Sequence, residues 1–340
     1  MLLQILVPQY KETDEIVKPL LDSIKMQQNV DFNDIGVIIT NDGSDIFLSE
    51  ELIRSYPFNI QYFKNEHKGV SATRNFCLDK ATANYVMFCD ADDLFMNSLG
   101  LQLVMNSMRK ESLDVITSTF MEELKTDKGM VYIDRQQDSV FVHGKIYNRN
   151  FLNYEKIRWG DDLLIHEDSY FNGLALALAR NKKYCETPFY LWHWNQQSVS
   201  RTNKYYVIET YDHLLKSATK LSHDLLERGK KQESAQMFCL NMFQTFYIMS
   251  GMFFELDDTK AIVEKLNPLA AKFYQDFNEL FKALTPAQIF QIRNNARTAA
   301  IEHGWYKERF TFNDWIKHIF ESAKQQATLN ANPDVVKKIN

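Results

Sequence analysis

The stretch Tyr85-Val86-Met87-Phe88-Cys89-Asp90-Ala91-Asp92-Asp93 decides the fold that the sequence predicts. Its first five residues are apolar or aromatic, and they predict a short strand buried on both faces. Three carboxylates follow within four residues, at the end of the strand where open α/β sheets bind their ligands. Because acids so close together repel one another, they favour a divalent cation or a cationic partner among them. A solvated acidic turn is the alternative, and this stretch alone does not decide between the two.

The chain before this stretch alternates between strand and helix patterns. Residues 2–7 and Gly36–Thr40 predict two further buried strands, and about Ile60–Phe63 predicts a third strand, with helical segments between them. This alternation is typical of βαβ units and a mainly parallel sheet. Right-handed crossovers place the carboxyl ends of such strands at one edge, so we expect the loops that follow to form a single crevice. The four loops are Pro8–Glu12, Asn41–Ser44, Lys68–Asn75 and Asp90–Asp93.

The composition excludes several classes of protein. The 340 residues carry a net charge of -5, which argues against a basic face for nucleic acid. The four cysteines form no CxxC pair, which argues against zinc and redox motifs and favours a reducing compartment. The first apolar stretch is too short for a signal peptide, and no run of about twenty apolar residues predicts a spanning helix. We therefore expect a cytoplasmic protein, with the inner face of the membrane as an optional place of contact.

The character of the sequence changes near residue 203. Residues 97–200 mix helix and strand patterns, whereas helical periodicity continues from 203 to the end. Thr285-Pro286-Ala287-Gln288 predicts a helix start with a capping box. A stripe at helical spacing is typical of a core; it consists of Phe238, Met242, Phe246 and Met249. We expect a catalytic domain over residues 1–202 and a helical region over 203–340 for acceptor binding or self-association.

Five short motifs stand in a characteristic order along the first 200 residues. They are Val7-Pro8-x-Tyr10-x-Glu12, Asn41-Asp42-Gly43-Ser44, Gly69-Val70-Ser71-x-x-Arg74-Asn75, Asp90-Ala91-Asp92-Asp93 and Glu167-Asp168. In order and approximate spacing they resemble the family 2 glycosyltransferases. The resemblance implies the GT-A fold, a mixed and mainly parallel sheet with flanking helices, here followed by a helical C-terminal region. It also implies inverting transfer of a hexosyl or N-acetylhexosaminyl group from a UDP-sugar to a hydroxyl of a glycan or bacterial wall polymer.

The resemblance assigns the nucleotide-sugar site residue by residue. Asp42 is similar to the carboxylate that accepts a hydrogen bond from the uracil imide. Arg74 resembles a cation near the nucleotide and the acidic motif, with a helix-surface arginine as the alternative. The implied nucleotide-sugar site consists of Pro8, Tyr10, Glu12, Asp42, Arg74, Asp90, Ala91 and Asp92.

The acidic motif resembles the metal-binding Asp-x-Asp of the family. It implies Mn²⁺ or Mg²⁺, which prefer oxygen ligands and offset the charge of a leaving diphosphate. Asp92 is expected to ligate the metal, while Asp90 faces the ribose or a metal-bound water and Asp93 could replace either. His193, between two tryptophans, is a further candidate ligand, with a structural histidine as the alternative.

Asp168 resembles the catalytic base of inverting members of the family. It would take the proton of the acceptor hydroxyl as that oxygen attacks the anomeric carbon. Glu167 precedes it and could orient it. The alternative is a pair of acids that stabilises the start of a helix through the helix dipole, and the two interpretations are compatible.

Two other functions remain open at this point. A strand that ends in Asp-x-Asp also occurs in haloacid-dehalogenase-type phosphohydrolases, where Asp90 or Asp92 would act on phosphorus. Against this, Leu94 stands where that family carries Thr or Val, and the motif follows the fourth predicted strand rather than the first. A catalytically inactive sugar-nucleotide-binding protein is the other alternative. The expected partners are a UDP-sugar, a glycan or polymer acceptor and, through the C-terminal helices, a second copy of the chain.

Overall fold

The computed structural model describes residues 1–196, 206–251, 259–302, 304, 306–307 and 310–331. The chain divides into two compact units, Met1–Tyr206 and Val207–Asn340. The predicted domain boundary at residues 202 and 203 falls outside the described residues, just ahead of this division.

A nine-stranded mixed sheet forms the centre of the first unit. Its strand order is β3-β2-β1-β4-β8-β6-β9-β5, and β7 pairs with β6 as a hairpin outside this path. The strands are β1 Leu3–Gln9, β2 Ile35–Asp42, β3 Asn59–Asn65, β4 Tyr85–Phe88, β5 Leu94–Phe95, β6 Val115–Thr126, β7 Gly129–Arg135, β8 Ile146–Asn148 and β9 Lys182–Trp192.

The four predicted strands β1 to β4 pair in parallel, in the order β3-β2-β1-β4. Leu6 of β1 lies opposite both Ile38 of β2 and Phe88 of β4, and all three side chains are fully buried. The carboxyl ends of these strands therefore lie at one edge. One detail of the sequence interpretation was wrong: Asn41 and Asp42 belong to strand β2, where they are buried, rather than to the loop that follows it.

Short helices cover both faces of this sheet, as βαβ connections require. They are α1 Asp14–Lys25, α2 Glu50–Arg54, α3 Val70–Lys80, α4 Gly100–Lys110, α5 Arg149–Tyr154 and α6 Glu167–Leu178. Helix α3 begins directly after Gly69, whose φ of 89° is open to glycine because it has no Cβ. Helix α6 begins after His166, which holds a left-handed conformation at φ 62°.

The second unit is helical throughout its described residues. Its elements are α7 Tyr206–Glu209, which begins at the last residue of the first unit, α8 Tyr211–Glu227, α9 Lys231–Gly251, α10 Thr259–Phe277, a 3₁₀ turn Asn278–Ala283, α11 Pro286–Glu302 and α12 Phe312–Ala331. Thr285 and Gln288 form the predicted capping box at the start of α11. The predicted stripe from Phe238 to Met249 lies in the core of this unit. No described helix combines the length and the apolar character needed to cross a bilayer.

Gly100, at the start of α4, provides a test of the packing between this helix and β9. A Cβ on Gly100 would lie 2.2 Å from the Cβ of buried Phe189, whose backbone is fixed in the sheet. We expect Gly100→Ala to lower the free energy of unfolding by about 1–3 kcal/mol, which is typical of an overpacked core. Urea denaturation measures this change. Gly36→Ala is the matched control, since the nearest atom to a Cβ there is the sulfur of the exposed Met1 side chain, which can move away. Equal stability of the two variants would contradict the packing described here.

Candidate active site

The loops at the carboxyl ends of the parallel strands enclose one cavity of about 350 Å³. All eight residues of the predicted nucleotide-sugar site contribute to its wall, although they come from four separate parts of the chain. The lining consists of Pro8, Gln9, Tyr10, Glu12, Asp42, His67, Gly69, Val70, Arg74, Asp90, Ala91 and Asp92. The single crevice expected from the strand pattern is therefore present.

Arg74 joins three carboxylates from distant parts of the chain. Its side chain is only 4% exposed, on the inner face of α3, so the helix-surface alternative was wrong. Nη2 donates to Asp90 at 2.9 Å, while Nη1 donates to Glu167 at 3.1 Å and to Asp168 at 3.0 Å. The guanidinium carbon also lies 4.4 Å from the ring centroid of Trp159. The planar fork of arginine suits this arrangement, because each terminal nitrogen can serve a different carboxylate.

Asp168 lies in the first turn of α6, at the end of the Arg74 fork. Its Oδ1 accepts from Arg74, and its Oδ2 accepts from the backbone N–H of Val142 at 3.2 Å. Burial raises the pKa of this carboxyl above its usual range, and the nearby Glu167 and Asp90 add to the rise while Arg74 opposes it. A carboxylate that is held by two donors and has a raised pKa is suited to accept a proton near neutral pH.

The acids that line the cavity carry more negative charge than Arg74 can neutralise. Burial and the neighbouring Asp90 raise the pKa of Asp92, whose Oδ2 accepts from Asn195 at 2.7 Å. Burial also raises the pKa of Glu12, with further contributions from Asp92 and Asp90. For Asp90, burial raises the pKa, but Arg74 and His143 together outweigh burial and the net shift is downward. Carboxylate oxygens concentrated in this way form a donor set that fits a hard divalent cation.

Asp93 lies behind the cavity rather than on its wall. It is 1% exposed and accepts from the Tyr190 hydroxyl and, at 2.9 Å, from the backbone N–H of His193. The Nδ1 atom of His143 is 3.6 Å from its Oδ2. Ligand atoms of Asp90, Asp93 and His143 lie within 4.8 Å of one another, which is close enough to share an ion. Since Asp93 is buried and does not contribute to the cavity wall, its main contribution is to anchor the acidic turn.

His193 lies next to the same turn, on the chain that leaves β9. Its Nδ1 is 2.6 Å from Glu123 of β6, and its side chain is 46% exposed. Glu123 also accepts from the backbone N–H of Trp194 at 2.9 Å. With Nδ1 directed to a carboxylate, Nε2 is the nitrogen that can face a cation, as is common for histidine ligands.

Asp42 lies on the wall of the same cavity, where backbone and side-chain donors surround it. Its carboxylate accepts from the backbone N–H groups of Lys68 at 2.9 Å and Gly69 at 3.0 Å. Nδ1 of His67 lies 2.9 Å from the same carboxylate, and the His67 ring stacks on Tyr10 with centroids 4.7 Å apart. The two rings form a flat aromatic edge beside a carboxylate, an arrangement that suits a planar base with an N–H donor.

Sequence reasoning missed two parts of this site. His67 precedes the Gly69 motif and was not singled out, although its place directly before a predicted binding loop was a usable signal. The donor Val142 belongs to the segment between β7 and β8, and a backbone N–H leaves no signature in the residue type.

Arg74→Gln tests the charge balance of the cluster, because it removes the cation and keeps a hydrogen-bond donor. We expect a loss of about 3–5 kcal/mol in the free energy of unfolding near neutral pH, as when a buried ion pair loses one partner. Burial raises the pKa of Asp168 to about 7, so this carboxyl is largely ionised and paired with Arg74 at pH 7.5, whereas at pH 5 it is protonated and has no charge for Arg74 to neutralise. Urea titrations near pH 7.5 and about pH 5 should therefore show a smaller loss at the lower pH.

The matched control is Arg158→Gln, which removes an ion pair with Asp79 at the surface. Exposed pairs contribute about 0–1 kcal/mol, so this variant should unfold close to the wild type at both pH values. A loss for Arg74→Gln that is equally small would contradict the bridging role described above.

Comparison with known proteins agrees with this geometry. GgaB of Bacillus subtilis strain 168, a minor teichoic acid biosynthesis protein, is 25% identical over 177 residues, which cover 47% of this chain and 19% of GgaB. EpsJ of the same strain, named an uncharacterized glycosyltransferase, is 22% identical over 58% of this chain and 63% of EpsJ. The chain spans less than two thirds of the length of either relative.

A solved structure shows the same fold. S. aureus TarS 1–349 in complex with UDP superposes with a TM-score of 0.62 at 17% identity, covering 96% of this chain and 92% of that one. The complex of the same fragment with UDP-GlcNAc gives a TM-score of 0.63. This likeness confirms the predicted GT-A fold class.

The family model described as Glycosyl transferase family 2 matches residues 4–174, half of the chain, and includes all five motifs that carry the resemblance. The phosphohydrolase alternative was therefore wrong, and the chain belongs to glycosyl transferase family 2.

Proposed function

We propose that this chain transfers a sugar from a UDP-sugar to a hydroxyl group of a wall polymer or related glycan, with inversion at the anomeric carbon. The observation that carries the proposal is the bridge from Asp90 through Arg74 to Asp168. It ties the acidic motif of the nucleotide cavity to a carboxylate suited to act as a base. The donor nucleotide and the base that activates the acceptor would therefore lie next to each other.

Uracil is the base that fits the Asp42 end of the cavity. The carboxylate can accept from the imide N–H of uracil, and the Tyr10 and His67 rings offer a stacking face. Glu12, whose Oε2 accepts from the backbone N–H of Tyr10, is the acid in this loop for a ribose hydroxyl. The UDP and UDP-GlcNAc complexes of the structurally similar TarS support a uridine nucleotide as the donor.

Asp92 and Asp90 are the residues that would hold Mn²⁺ or Mg²⁺, with Nε2 of His193 as a further ligand. When bound, the metal offsets the negative charge that develops on the diphosphate as it leaves. Asn195 holds one oxygen of Asp92, and Glu123 occupies Nδ1 of His193. These contacts restrict the orientation of both ligands before the metal arrives.

Asp168 would act as the general base. As the acceptor oxygen forms its bond to the anomeric carbon, the bond from that carbon to the diphosphate oxygen breaks and UDP departs. The proton of the acceptor hydroxyl moves to the Asp168 carboxylate, where the raised pKa favours its retention. Arg74 limits the negative charge that Asp168 experiences from Glu167 and Asp90.

For the whole protein, we extend the proposal from the names of its relatives. GgaB is named for teichoic acid biosynthesis, which supports a wall polymer as the acceptor. We assign the helical unit Val207–Asn340 to acceptor binding or self-association. The four free cysteines support a reducing compartment, so we assign the reaction to the cytoplasm, with the inner face of the membrane as an optional place of contact.

Asp92→Ala tests the metal-assisted binding of the nucleotide. Calorimetry of UDP with and without Mn²⁺ should show that the metal increases the affinity of the wild type and that the variant loses most of this increase. The control is Asp127→Ala in the β6–β7 turn, an acid outside the cavity. If Asp92→Ala binds UDP with the same dependence on Mn²⁺ as the wild type, the proposed metal site is wrong.

Asp168→Asn tests the base, because it keeps the shape and removes the proton acceptor. Release of UDP from UDP-GlcNAc, UDP-glucose or UDP-galactose, assayed with a wall-polymer preparation, should fall by about 10²–10⁴-fold while UDP affinity stays within about twofold. In the wild type, the rate should rise with pH through the raised pKa of Asp168, because only the ionised form accepts a proton. Full activity in the variant would exclude Asp168 as the base, and UDP binding without turnover in the wild type would favour an inactive binding protein.

A further inference from the structure

A buried ion pair closes the segment between β7 and β8, residues Asp138–Lys145, here called the strap. The Lys145 side chain is only 1% exposed, and its Nζ lies 2.9 Å from Oδ1 of Asp138. The same ammonium donates to the backbone oxygen of Phe141. Oδ1 of Asp138 also accepts from the backbone N–H groups of Val140 at 3.0 Å and Phe141 at 2.8 Å. Oδ1 of Asp138, the first residue of the strap, is thus bonded to its last residue, Lys145, and to Val140 and Phe141 in its middle.

The closed strap contacts helix α6 at two successive turns. The backbone N–H of Val142 donates to Oδ2 of Asp168, and one turn later Nδ2 of Asn172 donates to the backbone oxygen of Val140. Tyr147, directly beyond the strap, donates to Oδ1 of Asn172. The position of Val142 relative to Asp168 is therefore determined by the conformation of the strap.

The other side of the strap packs against the sheet. The ring centroid of Phe141 lies 5.0 Å from that of Trp192, and His143 stacks on Tyr190 with centroids 5.1 Å apart. Gly144 adopts φ +65°, and Ser118 of β6 donates to its backbone oxygen at 2.8 Å. These contacts anchor the strap in the sheet, so it is a rigid element between β9 and α6.

Burial of the Lys145 ammonium carries a cost in free energy. Its desolvation costs several kcal/mol, and an apolar pair of similar volume often stabilises a protein equally well. What an apolar pair would not supply is the convergence of Nζ and two backbone N–H groups on one oxygen, which determines the shape of the strap. Lys145 does not line the cavity and takes no part in the proposed mechanism.

We infer that Lys145 and Asp138 are positioning residues for the proposed base: their ion pair holds the strap so that the Val142 N–H fixes the second oxygen of Asp168. With Oδ1 held by Arg74 and Oδ2 by Val142, the plane of the carboxylate is set, and its remaining lone pairs can face only a limited set of directions. This inference rests on the proposed function, in which Asp168 receives the proton of the acceptor.

The experiment compares Lys145→Met, which keeps the methylene chain, with Asp138→Asn, which keeps an acceptor for the two backbone N–H groups. For turnover of UDP-GlcNAc with Mn²⁺, measured as UDP release, we expect kcat to fall about tenfold in Lys145→Met and less in Asp138→Asn. Affinity for UDP should change less than about twofold, because the strap does not line the nucleotide cavity. The double variant should be no worse than Lys145→Met alone, because the two residues act as one unit.

The pH profile separates positioning from general stability. The groups that face Asp168 are Arg74, Glu167, Asp90, Tyr147 and Tyr206, and neither substitution alters them. The hydrogen bond from Val142 lowers the pKa of Asp168, so loosening the strap should move the acidic limb of kcat to higher pH. Hydrogen exchange of the strap and of the first turn of α6 should also become faster. Leu52→Ala, in α2 at the far edge of the sheet, is the control that loses stability without these changes.

The outcomes separate the inference from the proposed function. If Asp168→Asn is inactive but both strap variants keep the kcat and the acidic limb of the wild type, the positioning role is wrong and the base remains. If Asp168→Asn is active, the proposed function fails first. If neither strap variant folds, the ion pair supports the fold as a whole, and the positioning role is also wrong.

Discussion

The arrangement of this molecule depends on one guanidinium group among three carboxylates. Asp90 follows a central strand, and Glu167 and Asp168 open a helix more than seventy residues later. Without a cation, these acids would repel one another, and their ionised forms would be disfavoured. Arg74 opposes that repulsion, and its planar fork holds the three carboxylates around one cation. The cavity and the proposed base take their relative positions from this cluster.

Much of this arrangement follows from local patterns in the sequence. A polar loop follows each of the apolar strands β1, β2 and β4. Because these strands pair in parallel, the loops lie together at one edge of the sheet. The buried position of Arg74 was weighed against a surface position, and only the structure decides this, because a helix pattern does not reveal which acids a side chain reaches. Asp42 was expected in a loop, yet it pairs with Asn65 of β3 and is the last residue of strand β2.

The strap was not predictable for a different physical reason. Its contact with Asp168 uses a backbone N–H, which every residue except proline offers, so the identity of Val142 carries no information. The ion pair that closes it joins residues seven positions apart in a segment without regular structure, where periodicity gives no guidance. Contacts of this kind become visible only when the sheet brings β8 and α6 together.

The shared arginine has a consequence for how such a site can diversify. A substitution that adapts the acidic motif to another donor also alters the electrostatic environment of Asp168. The donor site and the proposed base therefore cannot evolve independently. The Tyr10–His67 edge is held differently, since its two rings stack on each other and His67 pairs with Asp42. Substitutions along that edge would therefore change the nucleotide preference with the least effect on Asp168. The edge is the natural place to begin a redesign of the donor specificity.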